Sequence, residues 1–296
     1  MARTIVLDGG TGRELSRRGV EVPPNIWSAH ALMHAPDAVR DVHLDYYRAG
    51  ADVITTNNYT TTPDILGRAG LSHRFKELTT VARDLAMDAK AKSGRKGARI
   101  AGSLPPLVSS YRPDLVKNPK DMRPIYDEMA GILAPGVDLF ICETMSSAVE
   151  ARTAAEAGLA TGKPVWVSWT LEDEVYNGRL RSGETIAQAL AALDGLDVET
   201  VLFNCTPPEA IDVGLPELRP QTQRKIGAYA NGFLPVPKKW LLNENGLNKL
   251  RGDVDAEMYG AFAQRWINDG IDVLGGCCGI GPEHIRKIRD MVDAKG

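Results

Sequence analysis

Apolar and polar positions recur along this chain in one repeating unit. A short run of β-branched or aliphatic residues ends in a glycine or a polar residue, and a stretch of helical periodicity follows. The pattern predicts strands over Thr4–Asp8, Asp52–Asn57, Arg99–Ser103, Val137–Thr144, Val165–Thr170, Thr200–Cys205, Lys225–Asn231 and Ile271–Cys277. It predicts helices over Asp37–Ala49, His73–Lys92, Lys120–Leu133, Ser147–Ala160, Ser182–Leu193, Pro208–Leu218, Asp255–Asn268 and Pro282–Ala294. Start and stop signals agree with several of these. Asp255 is placed to cap a helix, Pro282 suits a first turn, and Gly50, Gly162 and Gly270 sit near helix ends.

Eight such units without a Pro/Gly/Ser-rich linker predict an α/β fold, a single (β/α)8 TIM barrel, with residues 1–296 forming one domain. A doubly wound sheet is the alternative, but it needs no eighth unit and leaves the spread of polar strand ends unexplained. Two connections are too long for simple turns, Leu104–Pro119 after the third strand and Gly232–Val254 after the seventh. Both would lie on the C-terminal face, where barrels of this kind keep their active sites. The second loop carries Trp240 and could line a pocket, serve a neighbouring subunit of a homo-oligomer, or run through solvent.

Composition narrows the class. The chain is 43% hydrophobic, enough for a large core, and its formal net charge of -3 argues against nucleic-acid or polybasic membrane partners. No apolar segment approaches the roughly 20 residues that span a bilayer. Asp8 comes too soon for a secretory apolar region. The expectation is a soluble, cytoplasmic protein whose four cysteines are ligands, catalytic groups or buried thiols rather than disulfides.

The cysteines carry the chemistry. Neighbouring side chains of a strand face opposite ways, so Cys277 and Cys278 converge on one centre only if the chain bends, which the flanking Gly275, Gly276 and Gly279 permit. Cys205 ends a similar run, Val201-Leu202-Phe203-Asn204-Cys205. Three thiolates around one borderline ion make a catalytic zinc site with a fourth position open. The competing readings are a structural zinc and a redox pair at Cys277–Cys278. A structural site would need a fourth protein ligand, and no cysteine or histidine is placed for it. Cys142 sits inside an apolar run beside Glu143, so alternation sends it into the core. Gly9-Gly10-Thr11-Gly12 lacks both the lysine of a phosphate loop and the full dinucleotide spacing. The histidines are assigned no role.

Together the strand ends bring Asp8-Gly9-Gly10, Thr55-Thr56-Asn57, Glu143-Thr144, Asn204-Cys205 and Gly276-Cys277-Cys278 to one barrel mouth. Those are parts for a zinc site with a small zwitterion held beside it.

In order along nearly the whole chain, Leu7-Asp8-Gly9-Gly10-Thr11-Gly12, Gly50-Ala51-Asp52 leading to Thr56 and Tyr59, Glu143-Thr144, Asn204-Cys205 and Gly275-Gly276-Cys277-Cys278-Gly279 resemble the homocysteine S-methyltransferase family. Its members are zinc-dependent TIM barrels, among them betaine- and S-methylmethionine-dependent enzymes and the homocysteine domain of cobalamin-dependent methionine synthase. The resemblance implies that Cys205, Cys277 and Cys278 bind Zn2+ and that the thiol of L-homocysteine takes the fourth position. A free thiol is mostly protonated at neutral pH, and coordination removes that proton. The thiolate then attacks an electrophilic methyl group, giving methionine.

The resemblance further implies that Asp8 and Glu143 hold the ammonium of homocysteine. Amides near Gly9, Gly10 and Thr56 would take its carboxylate. Asn204 joins this substrate-binding group by orienting Cys205, or is a strand-end turn residue. Two departures bear on the methyl donor. Thr144 stands where betaine-type enzymes carry a tyrosine, and Gly102–Leu107 lacks the Gly/Tyr-rich pattern of S-methylmethionine enzymes. The implied donor is a free small molecule of onium type, such as S-methylmethionine or betaine. Its cation would suit aromatic faces, for which Trp27, Tyr59, Tyr111 and Trp240 are candidates. A separate methyl-corrinoid protein as donor, a zinc hydrolase on the same barrel, and a thiol- or metal-binding protein without turnover are the other readings.

Overall fold

The computed structural model describes residues 3–295. All eight expected strands form, as β1 (Ile5–Val6), β2 (Val53–Thr55), β3 (Arg99–Leu104), β4 (Leu139–Met145), β5 (Val165–Trp169), β6 (Val198–Asn204), β7 (Lys225–Ala230) and β8 (Val273–Gly276). Each pairs in parallel with the next from β2 to β8, and β8 returns to β1. β1 is too short to complete a ladder with β2. The seam closes instead through a Leu7–Val53 bridge and a bond from the Asp8 amide to Val53 O at 3.0 Å. Helices pack between the strands, so the chain is a (β/α)8 barrel.

Strand alternation divides the apolar residues into two cores. Leu7, Val53, Ala101, Leu139, Ile141, Trp166, Leu202, Tyr229 and Val273 fill the barrel interior. The opposite faces, including Val6, Ile54, Phe140, Cys142, Val167 and Phe203, pack under the helices. The helix Pro36–Ala49 shows how the outer layer is made. Val39, Val42, His43, Tyr46 and Tyr47 recur at three- and four-residue steps, form its buried face, and Gly50 ends it at φ 109.

Cys142 lies fully buried in this outer layer, as alternation predicts, and burial pushes its thiol well above the usual range. Cys142→Ala is therefore expected to cost about 1–2 kcal/mol of stability through the small cavity it leaves. Metal content and activity should be unchanged. Denaturant melts with metal analysis would check both, and loss of metal would place Cys142 in the site after all.

Two element expectations change. The helix expected over Ser182–Leu193 spans only Ile186–Ala191, because Gly183 turns the chain at φ 88 and Thr185 with Gln188 forms a capping box just before it. Short helices at Thr11–Arg17 and Ala29–His34 also make the connection after β1 a long one, beyond the two long loops expected. No helix among the described residues is long and apolar enough to cross a membrane.

Candidate metal centre and substrate cleft

Above the apolar interior, the next inward-facing positions turn polar. Ser103 follows Ala101, Glu143 follows Ile141, Ser168 follows Trp166 and Asn204 follows Leu202, each two residues further on. Of this layer Glu143 reaches an open cleft of about 900 Å³ at the C-terminal ends of the strands, and the other three lie beneath it. Asp8, Glu143, Cys205, Cys277 and Cys278 all line it.

The sulfurs meet because two strand ends are bent. β8 stops at Gly276, and a turn closed by the Ile280 amide on Cys277 O at 3.1 Å, with Gly279 at φ 86, brings both neighbouring thiols to one side. Cys205, just past β6, has φ 48, a left-handed conformation that a cysteine rarely takes. The three sulfurs then lie within 4.8 Å of one another, Cys205 Sγ being 2.8 Å from Cys277 Sγ and 3.9 Å from Cys278 Sγ. Burial opposes charge on Cys205. The contacts with Cys277 and Cys278 and the hydrogen bond donated by the Tyr111 hydroxyl at 2.9 Å outweigh it, holding Cys205 well below the usual thiol range. The same contacts push Cys277 and Cys278 up. Within the trio, negative charge is favoured on Cys205. Three soft donors this close, with a cleft on their open side, fit a thiophilic ion such as zinc with a fourth position for a ligand.

Backbone strain is concentrated here. Among the described residues, the non-glycine positions with positive φ are Trp27, Tyr111, Thr144 and Cys205, and all four line the cleft. Each costs on the order of 1–3 kcal/mol and persists only where its surroundings over-determine it. Asn204 supplies that restraint for Thr144. Its Oδ1 accepts from the Thr144 amide at 2.8 Å and the Ser168 hydroxyl at 2.7 Å, while its Nδ2 donates to Thr144 Oγ1 at 2.8 Å.

This corrects the expected place of Asn204. It does not line the cleft, and its side chain braces the ends of β4 and β5 rather than a substrate or the sulfur of Cys205. The amide cradle also needs correction. The Gly10 amide donates to Ile280 O and the Thr56 amide to Ala101 O, both at 3.0 Å, so closure of the barrel has used them. The Gly9 amide makes no such bond. Gly10 still serves by its size, since a Cβ there would meet Cys277 O at 2.6 Å and Cys278 Cα at 2.9 Å.

The acids occupy the other half of the mouth. Asp8 completes the weak β1–β2 seam with its side chain, accepting from the Thr55 amide at 2.8 Å and the Thr55 hydroxyl at 3.2 Å. Glu143 accepts from the Ser103 hydroxyl. Burial raises Asp8 to about 8 and Glu143 to about 7, in each case against the pull of those hydrogen bonds. Two buried acids poised near neutrality suit a cationic partner that would restore their charge.

Both expected long loops border the cleft, through Ser110 and Tyr111 after β3 and Phe233, Trp240, Leu242, Leu247 and Asn248 after β7. A buried ion pair missed in the sequence clamps them. Arg181 binds Asp173 within the β5 connection, donates to Val236 O at 2.7 Å in the β7 loop, and lies 5.1 Å from the Tyr111 ring centroid. The other missed residue is Arg13, which lines the cleft beside Trp27 and Phe233. Its signal in the sequence is a positive charge in the first turn of a helix, where the dipole disfavours it.

The family model described as homocysteine S-methyltransferase matches residues 5–292. The homocysteine S-methyltransferase YbgG of Bacillus subtilis is 29% identical, over 96% of this chain and 93% of its own length. A selenocysteine methyltransferase of Astragalus bisulcatus is also 29% identical, over 99% and 93%. Among solved structures, the metallated form of the homocysteine methyltransferase MmuM from Escherichia coli superposes with a TM-score of 0.82 at 27% identity, covering 98% of this chain and 96% of that one.

Proposed function

The chain belongs to the homocysteine S-methyltransferase family, and from that footing we propose that it transfers a methyl group from a small onium donor to the sulfur of L-homocysteine, with zinc on Cys205, Cys277 and Cys278. The observation that carries this is the set of three sulfurs within 4.8 Å, opening on a cleft that also holds Asp8 and Glu143.

Zinc at this position would supply a Lewis acid that keeps an incoming thiol deprotonated at neutral pH without oxidising it. The protein does the rest. Asp8 and Glu143 bind the ammonium and so aim the homocysteine sulfur at the cysteine trio. Tyr111 holds Cys205 by its hydroxyl, and the Asp173–Arg181 pair holds the loops that frame the mouth. Carbon–sulfur bond formation breaks the onium bond of the donor, which leaves as a neutral sulfide or amine while the thiol proton passes to solvent. Thr144 lacks the reach of the tyrosine found in betaine-type enzymes. The aromatic residues beside the sulfurs come from the loops instead, Tyr111 and Trp240 meeting edge to face at 5.9 Å.

The test is methionine formation by the zinc-loaded protein with homocysteine and five separate donors, S-methylmethionine, adenosylmethionine, betaine, dimethylsulfoniopropionate and a methylated corrinoid. Turnover with an onium donor is expected. Turnover with the corrinoid alone would move the assignment to a protein-borne donor. Failure with all five would remove the donor class.

A further inference from the structure

The cleft contains a cation that the chemistry above does not use. The Arg13 guanidinium carbon lies 5.7 Å from the ring centroid of Trp27 and 5.3 Å from that of Phe233, so it rests against aromatic faces from the β1 and β7 connections. Its hydrogen bond goes to the backbone oxygen of Asn248. Its Nε is buried without a hydrogen-bond partner. Burying an unsatisfied donor on a charged group is costly, and a ligand anion would offset that cost. A flat guanidinium with unspent donors is well shaped for a carboxylate.

The position says which substrate brings the anion. Asp8 and Glu143, with their partners Thr55 and Ser103, stand over β1 to β4. The sulfurs stand over β6 and β8. Arg13 lies on the sulfur side, close enough to Cys278 for their charges to interact, and under the β7 loop. A homocysteine reaching from the sulfurs to the acid pair would leave Arg13 free beside the sulfurs, where a methyl donor meets the thiolate. Arg13 also occupies the faces of Trp27 and Phe233. The aromatic surface left to an onium centre is that of Tyr59, Tyr111, Tyr229 and Trp240.

Building on the methyl-transfer reading, we propose that Arg13 anchors the anionic group of the donor, so that the donor is a zwitterion, an onium centre joined to a carboxylate, and not a bare cation. Arg13 is in this sense a specificity residue for the second substrate.

The experiment is calorimetric binding to the zinc-loaded protein of two matched pairs, betaine against choline and dimethylsulfoniopropionate against ethyldimethylsulfonium. The proteins are wild type, Arg13→Met, which keeps an apolar chain against Trp27 and Phe233, and Arg13→Lys. In the wild type the carboxylate-bearing member of at least one pair should bind tighter by on the order of 10- to 100-fold. Arg13→Met should erase that difference, and Arg13→Lys should restore part of it. Homocysteine affinity and zinc content should stay as in wild type. Discrimination that survives in Arg13→Met, equal binding of both members by the wild type, or a loss confined to homocysteine would overturn the proposal. Binding that depends on Arg13 without any methionine formed would leave the anchor standing and count against methyl transfer.

Discussion

Cys205→Ala is expected to release the metal and to lower methyl transfer by on the order of a thousandfold or more. Of the three sulfurs, Cys205 is the one on which the others converge, lying 2.8 Å from Cys277 Sγ and 3.9 Å from Cys278 Sγ and accepting from the Tyr111 hydroxyl. Without it, only the two adjacent thiols of Cys277 and Cys278 remain. The pair cannot enclose an ion, and water would have to supply two positions.

The fold should survive this change. Cys205 holds a left-handed backbone at φ 48, which alanine tolerates no better, and its side chain belongs to a small cluster with Tyr111, Phe233 and Val236, against which Trp240 and the other two cysteines pack. Metal analysis should fall from one equivalent to a small fraction while the circular dichroism spectrum stays native. A Cys205→Ala protein that kept a full equivalent of zinc and turned over would dismiss the trio as the reaction centre.

The parts of this site visible in the sequence are those set by local periodicity. Strand alternation places Glu143 inward and Cys142 outward, and a cysteine ending an apolar run must reach the mouth whatever lies around it. The convergence of Cys277 and Cys278 is also a local matter, written in the glycines on either side. What stayed hidden depends on partners far away in the chain. The Gly10 and Thr56 amides look free until Ile280 and Ala101 are seen to take them. Asn204 reads as support for its neighbour Cys205, yet its hydrogen bonds go to Thr144 and Ser168 on two other strands. Arg13 has no meaning until a loop more than two hundred residues later supplies Phe233 and Asn248. The Asp173–Arg181 clamp is invisible for the same reason, since its purpose is the Val236 backbone and the ring of Tyr111.

The acid pair predicts a pH dependence with a definite sign. Burial raises Asp8 from 3.8 to about 8 and Glu143 from 4.5 to about 7, so in the free protein both carboxyls are largely neutral below pH 7 and ionise as the pH rises above it. An ammonium needs the ionised forms. Homocysteine affinity should therefore fall as the pH drops from about 8 towards 6, and binding near neutrality should release protons from the acids as well as from the thiol. Calorimetry in buffers of different ionisation enthalpy counts those protons. Stability runs the opposite way. A carboxyl with a raised folded pKa stabilises the fold fully below its unfolded value, and that contribution is lost as the pH rises through the folded one. Between roughly pH 4 and 8 the ligand-free protein should thus lose stability through Asp8.

Asp8→Asn separates the two effects. The amide oxygen can still accept from the Thr55 amide, which preserves the β1–β2 seam, but no charge can form. The variant should melt higher than wild type above pH 8 while kcat/KM for homocysteine falls on the order of 100-fold. The proton released through Asp8 should vanish, and Glu143→Gln should remove the one released nearer pH 7. Residues that merely support the fold do not become more stable and less active together on losing a charge. An Asp8→Asn protein that bound homocysteine with wild-type affinity and wild-type proton release would take the ammonium away from Asp8 and leave Glu143 to hold it alone.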